Sequence, residues 1–287
     1  MPAAAATLGR MSIVDIRADA AAYYDLNPNA VDDLPFYRDR VRFPDASILE
    51  LGCGTGRTLV PLAASCGYIH GLDSSAAMLA ICRKKLREAG VLSSRAHVEQ
   101  GDITGFDLGR TFDLIIAPFR VFQNLETDAQ VDGLFRSVRK HLNPGGTCIL
   151  NVFRPNRQPD ALRREWCTEE ETFAWERVVA GARITCHDRK PRMEPDNLVL
   201  YPELIYRRYE GDVLQDETVL QIAMRCHYPE EFEQVILDHG FTILARWGGY
   251  AGETYGEGPE LVIQFADSTS QPLQRVGGRG GSDQPAS

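Results

Sequence analysis

Three glycines at two-residue intervals, Gly52, Gly54 and Gly56, close the stretch Ile48-Leu-Glu-Leu-Gly-Cys-Gly-Thr-Gly-Arg57. An apolar run that ends in such a turn and feeds a helix lets backbone approach a ligand where side chains would block it. Dinucleotide sites space their glycines as Gly-x-Gly-x-x-Gly/Ala. Here Arg57 stands where the third small residue would fall, and Glu50 precedes the turn. A carboxylate at that place repels a pyrophosphate and suits a ligand carrying a sulfonium and an ammonium group. Turn and acid together favour S-adenosylmethionine over NAD.

Two more acids follow at matching places. Asp73 ends the next apolar run in Gly71-Leu-Asp-Ser-Ser75, where a carboxylate can take both ribose hydroxyls. Asp102 comes after the third run, in Glu99-Gln-Gly-Asp-Ile-Thr104. It can accept from an adenine amine while Ile103 packs on the ring. Either acid alone reads more readily as a solvated loop residue or a helix cap; joint placement after successive strands reverses that reading and makes both cofactor residues.

The elements that must position these residues are legible as alternating strands and helices between residues 47 and 156. Short apolar runs at 47–51, 68–72, 97–100, 112–116 and 147–153 predict buried strands. Helices are predicted at 57–65, 75–89 and 129–141, the last stopped by Asn143-Pro-Gly-Gly146. Strands alternating with helices imply a parallel sheet covered on both faces. The rhythm then changes. Residues 172–179, 183–187, 197–210 and 213–227 are rich in Val, Ile, Tyr, Arg and Thr with period-two stretches, so an antiparallel meander is inserted. A helix at 229–239, with Pro229 in its first turn and Gly240 after its end, restores the first rhythm, and strands at 241–247 and 261–265 close it. The expected organisation is a helical cap (1–46), an α/β core (47–156), a β insertion (157–228), the rest of the core (229–267) and a disordered tail (268–287). Residues 1–10 are expected to be frayed.

Over residues 20–267 the sequence resembles the class I S-adenosylmethionine-dependent methyltransferases of small-molecule type. The resemblance rests on Tyr24-Asp25, Phe36-Tyr37, residues 48–57, 71–78, 101–104, 112–125 and 143–146. Residues 231–241, Trp247-Gly-Gly-Tyr250 and Glu260-Leu-Val262 continue it. It implies a Rossmann-like seven-stranded α/β fold, with the last two strands an antiparallel hairpin, carrying here an inserted antiparallel β-sheet. It also implies that Gly52, Cys53, Gly54, Gly56 and Arg57 pass the methionine part of the cofactor, and that Asp73, Ser74 and Met78 hold the ribose side. Gly101, Asp102 and Ile103 would meet the adenine. Ala117, Pro118, Phe119 and Phe122 would sit near the sulfonium, and Tyr23 or Tyr24 with Tyr37 would close over the cofactor or pack in the core. The fourth strand continues as Ala117-Pro-Phe-Arg120, not as the Asn/Asp-Pro-Pro-Tyr/Phe of enzymes that methylate nucleobase or glutamine amide nitrogens. That departure weighs against such substrates.

Candidate catalytic side chains near the mouth are His227 and Arg120, with Gln123, Asn124 and Arg154 beside them. His227 reads more readily as a packed strand residue, and Arg120 could steer an anionic acceptor or tie down its own loop. The insertion is expected to form a lid or a dimer surface. Phe173, Trp175, Tyr201, Tyr206 and Tyr209 could line an acceptor pocket, with core packing the preferred reading for most. The net charge of −9 and the lack of a basic stripe argue against a nucleic-acid partner. Seven scattered cysteines show neither a Cys-x-x-Cys zinc spacing nor a secreted disulfide pattern, and no His-rich metal motif is present, so no metal is expected. No run approaches the ~18 apolar residues of a membrane span, and the cytoplasm is the expected compartment. The leading expectation is methyl transfer from S-adenosylmethionine to oxygen, nitrogen or carbon of a small metabolite or natural product, with a homodimer in view. A protein or RNA methyltransferase and a non-catalytic cofactor-binding module are the alternatives.

Overall fold

A computed structural model describes residues 17–29 and 31–269. The expected frayed start at 1–10, and all but the first two residues of the expected tail, lie outside that range. In chain order the elements are α1 (Ala21–Tyr24), α2 (Leu34–Arg38), β1 (Ser47–Leu51), α3 (Leu59–Leu62), β2 (Tyr68–Asp73), α4 (Ala76–Glu88), β3 (Ala96–Gln100) and β4 (Phe112–Ala117). A 3-10 turn, Val121–Asn124, leads to α5 (Asp128–His141), β5 (Leu142–Phe153) and α6 (Pro159–Glu165). The second sheet follows with β6 (Thr168–Val179), β7 (Ala182–Glu194), β8 (Val199–Glu210), β9 (Val213–Gln221) and β10 (Met224–Arg225). α7 (Pro229–Asp238), β11 (Phe241–Trp247) and β12 (Glu260–Asp267) complete the chain.

The first sheet runs β11-β12-β5-β4-β1-β2-β3. Strands β1 to β5 pair in parallel, and β12 lies antiparallel to both β5 and β11. Burial on both faces explains the near-continuous apolar reading of β1 and β4. One face packs under α5 and α7 through Leu134, Phe135, Val138, Phe232 and Ile236. The other packs against α2, α3 and α4 through Phe36, Leu59, Leu62, Leu79 and Cys82. Progression outward from β1 to β2 and β3, then back across to β4, makes the carboxyl end of β1 the switch point where such sheets bind ligands. The glycine turn sits there.

Local chemistry places the helix starts. The Ser75 hydroxyl accepts from Met78 N at 3.1 Å and caps α4. Thr127 and Gln130 form a reciprocal capping box on α5. The helix predicted at 57–65 shrinks to α3, four residues with Pro61 inside it; proline brings no backbone donor, so the expected length could not form. The helical cap likewise reduces to α1 and α2.

The second sheet is antiparallel throughout, in the order β10-β8-β7-β6, with β9 also on β8. Its strands turn at Ala180-Gly181 and Gly211, where φ is +49°, +84° and +58°. Trp175, Ile184, Cys186, Tyr206 and Leu220 form its own apolar layer, onto which Ala20, Tyr23 and Leu26 of the N-terminal segment pack. Among the described residues no helix is long and apolar enough to cross a membrane.

Candidate functional site

A cavity of about 540 Å³ opens at the carboxyl ends of β1, β2 and β4 and runs beneath the second sheet. Its floor begins with the glycine turn. Gly52 N and Cys53 N both donate to Leu72 O, at 2.7 and 3.1 Å, which folds the turn over the end of β2. Asp73 continues the bracing: one carboxylate oxygen accepts from Gly54 N at 2.7 Å and the other from Ser75 N at 2.8 Å. Gly54 has φ +51° and nothing within 4 Å of where a Cβ would project, so the position is both conformationally glycine-selective and open. Glu50, Met78, Ser74, Gly101, Asp102 and Ile103 complete this end. Asp102 also accepts from Thr104 N and Oγ1, each at 2.8 Å, which holds its loop in a tight turn.

Glu50 is the electrostatic centre of the floor. It is 3% exposed, and one carboxylate oxygen has no hydrogen-bond partner among the described residues. Burial raises its carboxyl well above the ordinary range, against the opposing pull of the nearby Arg57 guanidinium. A cationic ligand would relieve that cost. Arg57 itself donates to both oxygens of Asp33 at 2.5 and 2.9 Å and to Val31 O at 3.1 Å. The orphaned acid beside an open glycine cradle fits S-adenosylmethionine, whose charge is positive at sulfur and at the amino group.

The other end of the cavity is differently made. Pro118, Phe119, Arg120 and Val121 descend from β4, and Leu204, Tyr206, Leu220, Ile222 and Met224 form a roof from the second sheet. Phe119 and Arg120 both adopt positive φ, +55° and +66°, a strain that persists only where neighbours impose it. Arg120 N donates to Asn151 Oδ1 at 3.0 Å, and its guanidinium pairs with Glu260, which also accepts from Asn151 Nδ2 at 3.1 Å. The roof is tied down by the following turn. Gln123 Nε2 donates to Arg225 O at 2.9 Å, Asn124 Nδ2 to Ala223 O at 2.7 Å, and the Tyr201 hydroxyl to Glu126 at 2.5 Å. Tyr24 meets the Phe119 ring edge-on at 6.4 Å, and both line the cavity.

Several sequence-derived candidates lie elsewhere. His227 is 3% exposed, sandwiched at 5.2 and 5.9 Å from Phe122 and Phe232, and off the cavity wall. Burial, with the nearby Arg225 charge, lowers its pKa to about 3, and the ring packs in the core beside Phe122 and Phe232. Phe122 belongs to the same core and Ala117 to the interior of β4. Gly56 faces α4, where a Cβ would lie 2.6 Å from Cys82 Sγ, and is off the cavity wall. Tyr37 is fully buried among Phe36 and Tyr250. Arg120 reaches the wall, but its charge is engaged by Glu260. Arg154 donates to Gly258 O at 2.7 Å and Glu257 O at 3.1 Å. Of the five aromatics of the insertion, Tyr206 lines the cavity, while Trp175 and Tyr201 are buried and Phe173 is exposed. Sequence reasoning missed Asp33 as partner of Arg57, and missed the roof residues, whose alternation along strands looks the same for a roof and for a core. Asp25 was part of a recognised motif, but its bridge to Thr55 Oγ1 and Lys85 Nζ, at 2.7 Å each, was not foreseen.

Comparisons with known proteins agree with this geometry. A methyltransferase domain family matches residues 48–146. The chain is 31% identical over 190 residues to the phosphatidylethanolamine N-methyltransferase of Cereibacter sphaeroides, covering 63% of this chain and 91% of that protein. It belongs to the S-adenosylmethionine-dependent methyltransferases. It is also 34% identical over 142 residues to the dTDP-3-amino-3,4,6-trideoxy-alpha-D-glucopyranose N,N-dimethyltransferase of Streptomyces venezuelae, covering 49% of this chain and 56% of that one. Across three such amino-sugar N,N-dimethyltransferases the match spans 56%, 38% and 53% of their length, about half overall. The crystal structure of an S-adenosylmethionine-dependent methyltransferase from Clostridium acetobutylicum superposes with a TM-score of 0.68 at 17% identity, over 87% of this chain and 98% of that one. That likeness is one of fold. S-adenosylmethionine is thus the cofactor of this family member, and the seven-stranded class I fold with a separate antiparallel sheet is its architecture.

Proposed function

We propose that this family member transfers a methyl group to an amine nitrogen of a small molecule, of the size of a modified sugar or natural product. The observation that carries the reading is the buried, unpartnered Glu50 carboxylate on the floor of a cavity whose far end is apolar and roofed. Similarity to amino-sugar N,N-dimethyltransferases supports a nitrogen acceptor. When bound, S-adenosylmethionine supplies a methyl group activated by a cationic sulfur. The residues proposed to hold it are Glu50, the backbone of Gly52 to Gly54, Asp73 with Ser74 and Met78, and Asp102 with Ile103.

The remaining work falls to positioning and water exclusion. Phe119 and Tyr24, edge-on to each other on the cavity wall, are the aromatic groups proposed to position the acceptor. Leu204, Leu220, Ile222 and Met224 exclude water from the acceptor end, which favours the dispersal of positive charge from sulfur toward the amine nitrogen as the methyl moves. Glu126, already accepting from Tyr201, is the carboxylate on that wall able to take a hydrogen bond from an amine. The same proposal includes a small-molecule partner and not a nucleic acid, a homodimer, a cytoplasmic location and a lid role for the second sheet. Incubation with methyl-labelled S-adenosylmethionine and a panel of amino sugars and alkylamines tests it. A labelled N-methyl product is expected. Tight S-adenosylhomocysteine binding with no labelled amine from any acceptor would sink it.

A further inference from the structure

On the β2–β3 edge of the first sheet, away from the cavity wall, three potential ligands converge. Parallel pairing sets His70 directly opposite His97. Glu99 lies two residues along β3 from His97 and so shares its face. The two imidazole centroids are 5.1 Å apart. His70 Nε2 is 3.5 Å from one Glu99 oxygen and His97 Nε2 is 3.8 Å from the other. One ligand atom from each residue falls within 4.8 Å of the other two. His70 is 5% exposed, and its Nε2 makes no hydrogen bond among the described residues. Its Nδ1 lies 3.3 Å from the Tyr68 hydroxyl. With Nδ1–H donating to that oxygen, the Nε2 lone pair points at the cluster, the outer arrangement that metal-bound histidines commonly have.

We propose that His70, His97 and Glu99 form a binding site for a divalent first-row metal ion of the Zn²⁺ or Co²⁺ type, with solvent completing the coordination. Two imidazoles and a carboxylate suit such borderline ions better than Mg²⁺ or Ca²⁺, which prefer all-oxygen shells. Arg110, stacked 3.7 Å over the Tyr68 ring, adds a positive charge to this edge. It disfavours an ion held by charge alone and leaves the nitrogen lone pairs to supply affinity. The ion would cross-link β2 to the edge strand β3. Those strands end in Asp73 and in the Gly101-Asp102 turn, where Asp73 pairs with Gln100. Metal binding therefore stiffens the part of the fold that carries the adenosine side of the floor.

Titration calorimetry of the chelator-treated full chain with ZnCl₂, MgCl₂ and CoCl₂ tests the site. One equivalent of Zn²⁺ is expected, with no Mg²⁺ heat and a visible Co²⁺ absorption band of low-symmetry coordination. His97→Ala and Glu99→Gln alter half-exposed side chains and should keep the fold, which melting without metal checks. Each should weaken Zn²⁺ at least about tenfold, in line with the sensitivity of metal sites to their donors. The double variant should lose the Co²⁺ band and the zinc-dependent rise in Tm. Unchanged zinc affinity and stoichiometry in the double variant would overturn the proposal and move any bound ion elsewhere, as to the exposed Cys167. Absence of zinc binding by the wild-type chain would overturn it equally.

Discussion

At the floor of the cavity, recognition groups come from loops that leave adjacent parallel strands; at its roof, they come from side chains on a sheet inserted more than fifty residues later. The floor uses a backbone turn closed on itself, a glycine with open space above it and acids of which Glu50 and Asp73 are buried. Two of its acids are bound into the scaffold, Asp73 to Gly54 and Ser75, and Asp102 to Thr104. The roof uses apolar side chains on strands that join the core through a few polar ties from the 3-10 turn. A floor braced by its own backbone tolerates little change. A roof hung on side-chain hydrogen bonds can be retuned to a new acceptor without disturbing the cofactor. That difference teaches why a family can keep one donor and vary its acceptors.

The comparison can be broken at its strongest point first. Gly54→Val adds a branched side chain at φ +51° and fills the open space above the turn. It should raise the S-adenosylhomocysteine Kd at least a hundredfold, about 2.7 kcal/mol, measured by calorimetry; near-native affinity would remove the glycine turn from the floor. Asp73→Ala should cost about tenfold or more, since it deletes a charged hydrogen-bond acceptor and releases Gly54 N.

Asn124→Ala separates the halves. Loss of its bond to Ala223 O should lower acceptor kcat/KM by roughly fivefold, the scale of one net hydrogen bond, while leaving cofactor Kd unchanged. If both constants move together, roof and floor are one unit.

Glu50→Gln should weaken cofactor binding severalfold yet raise Tm of the free protein by a few degrees. The native state holds the Glu50 proton more tightly than the unfolded chain does, because burial raises the carboxyl well above its ordinary value. Stability therefore falls as pH rises through the ordinary carboxylate range, and a neutral amide removes that loss. A lower Tm in the variant would contradict the unpaired state of the acid.

His227→Phe is expected to have the smallest effect, leaving the pH–rate profile in place. The imidazole, lowered from 6.5 to about 3 by burial, is neutral when folded. Its contribution to stability is complete above 6.5 and declines as pH falls toward 3, at up to about 1.4 kcal/mol per pH unit. Acid melts of the variant should show a shallower decline. A shifted kinetic profile would return His227 to the chemistry.

Much of the floor was legible because its signals are local. Gly52, Gly54, Glu50 and Asp73 sit within 24 residues, and a strand, a turn and a helix start each leave a short-range mark. Pro61 was equally visible, yet the helix predicted around it was too long. That Tyr37, Phe122 and His227 lie off the cavity wall was not legible for a different reason: an aromatic or imidazole side chain near a motif has the same spelling whether it faces a ligand or a core.

From the order of residues alone came the alternation of strands and helices, the donor chemistry implied by an acid before a glycine turn, and the existence of an antiparallel insertion. These depend on periodicity and on neighbours a few residues apart. Which way Gly56 and His227 point, how Arg120 is neutralised by Glu260, and that Leu220 and Met224 roof the far end of the cavity were decided by packing between distant segments. The same holds for His70 and His97. They are 27 residues apart and carry no metal-binding spacing, yet strand register sets them face to face. Register is fixed by the burial of whole strands, a cooperative property that no local pattern contains.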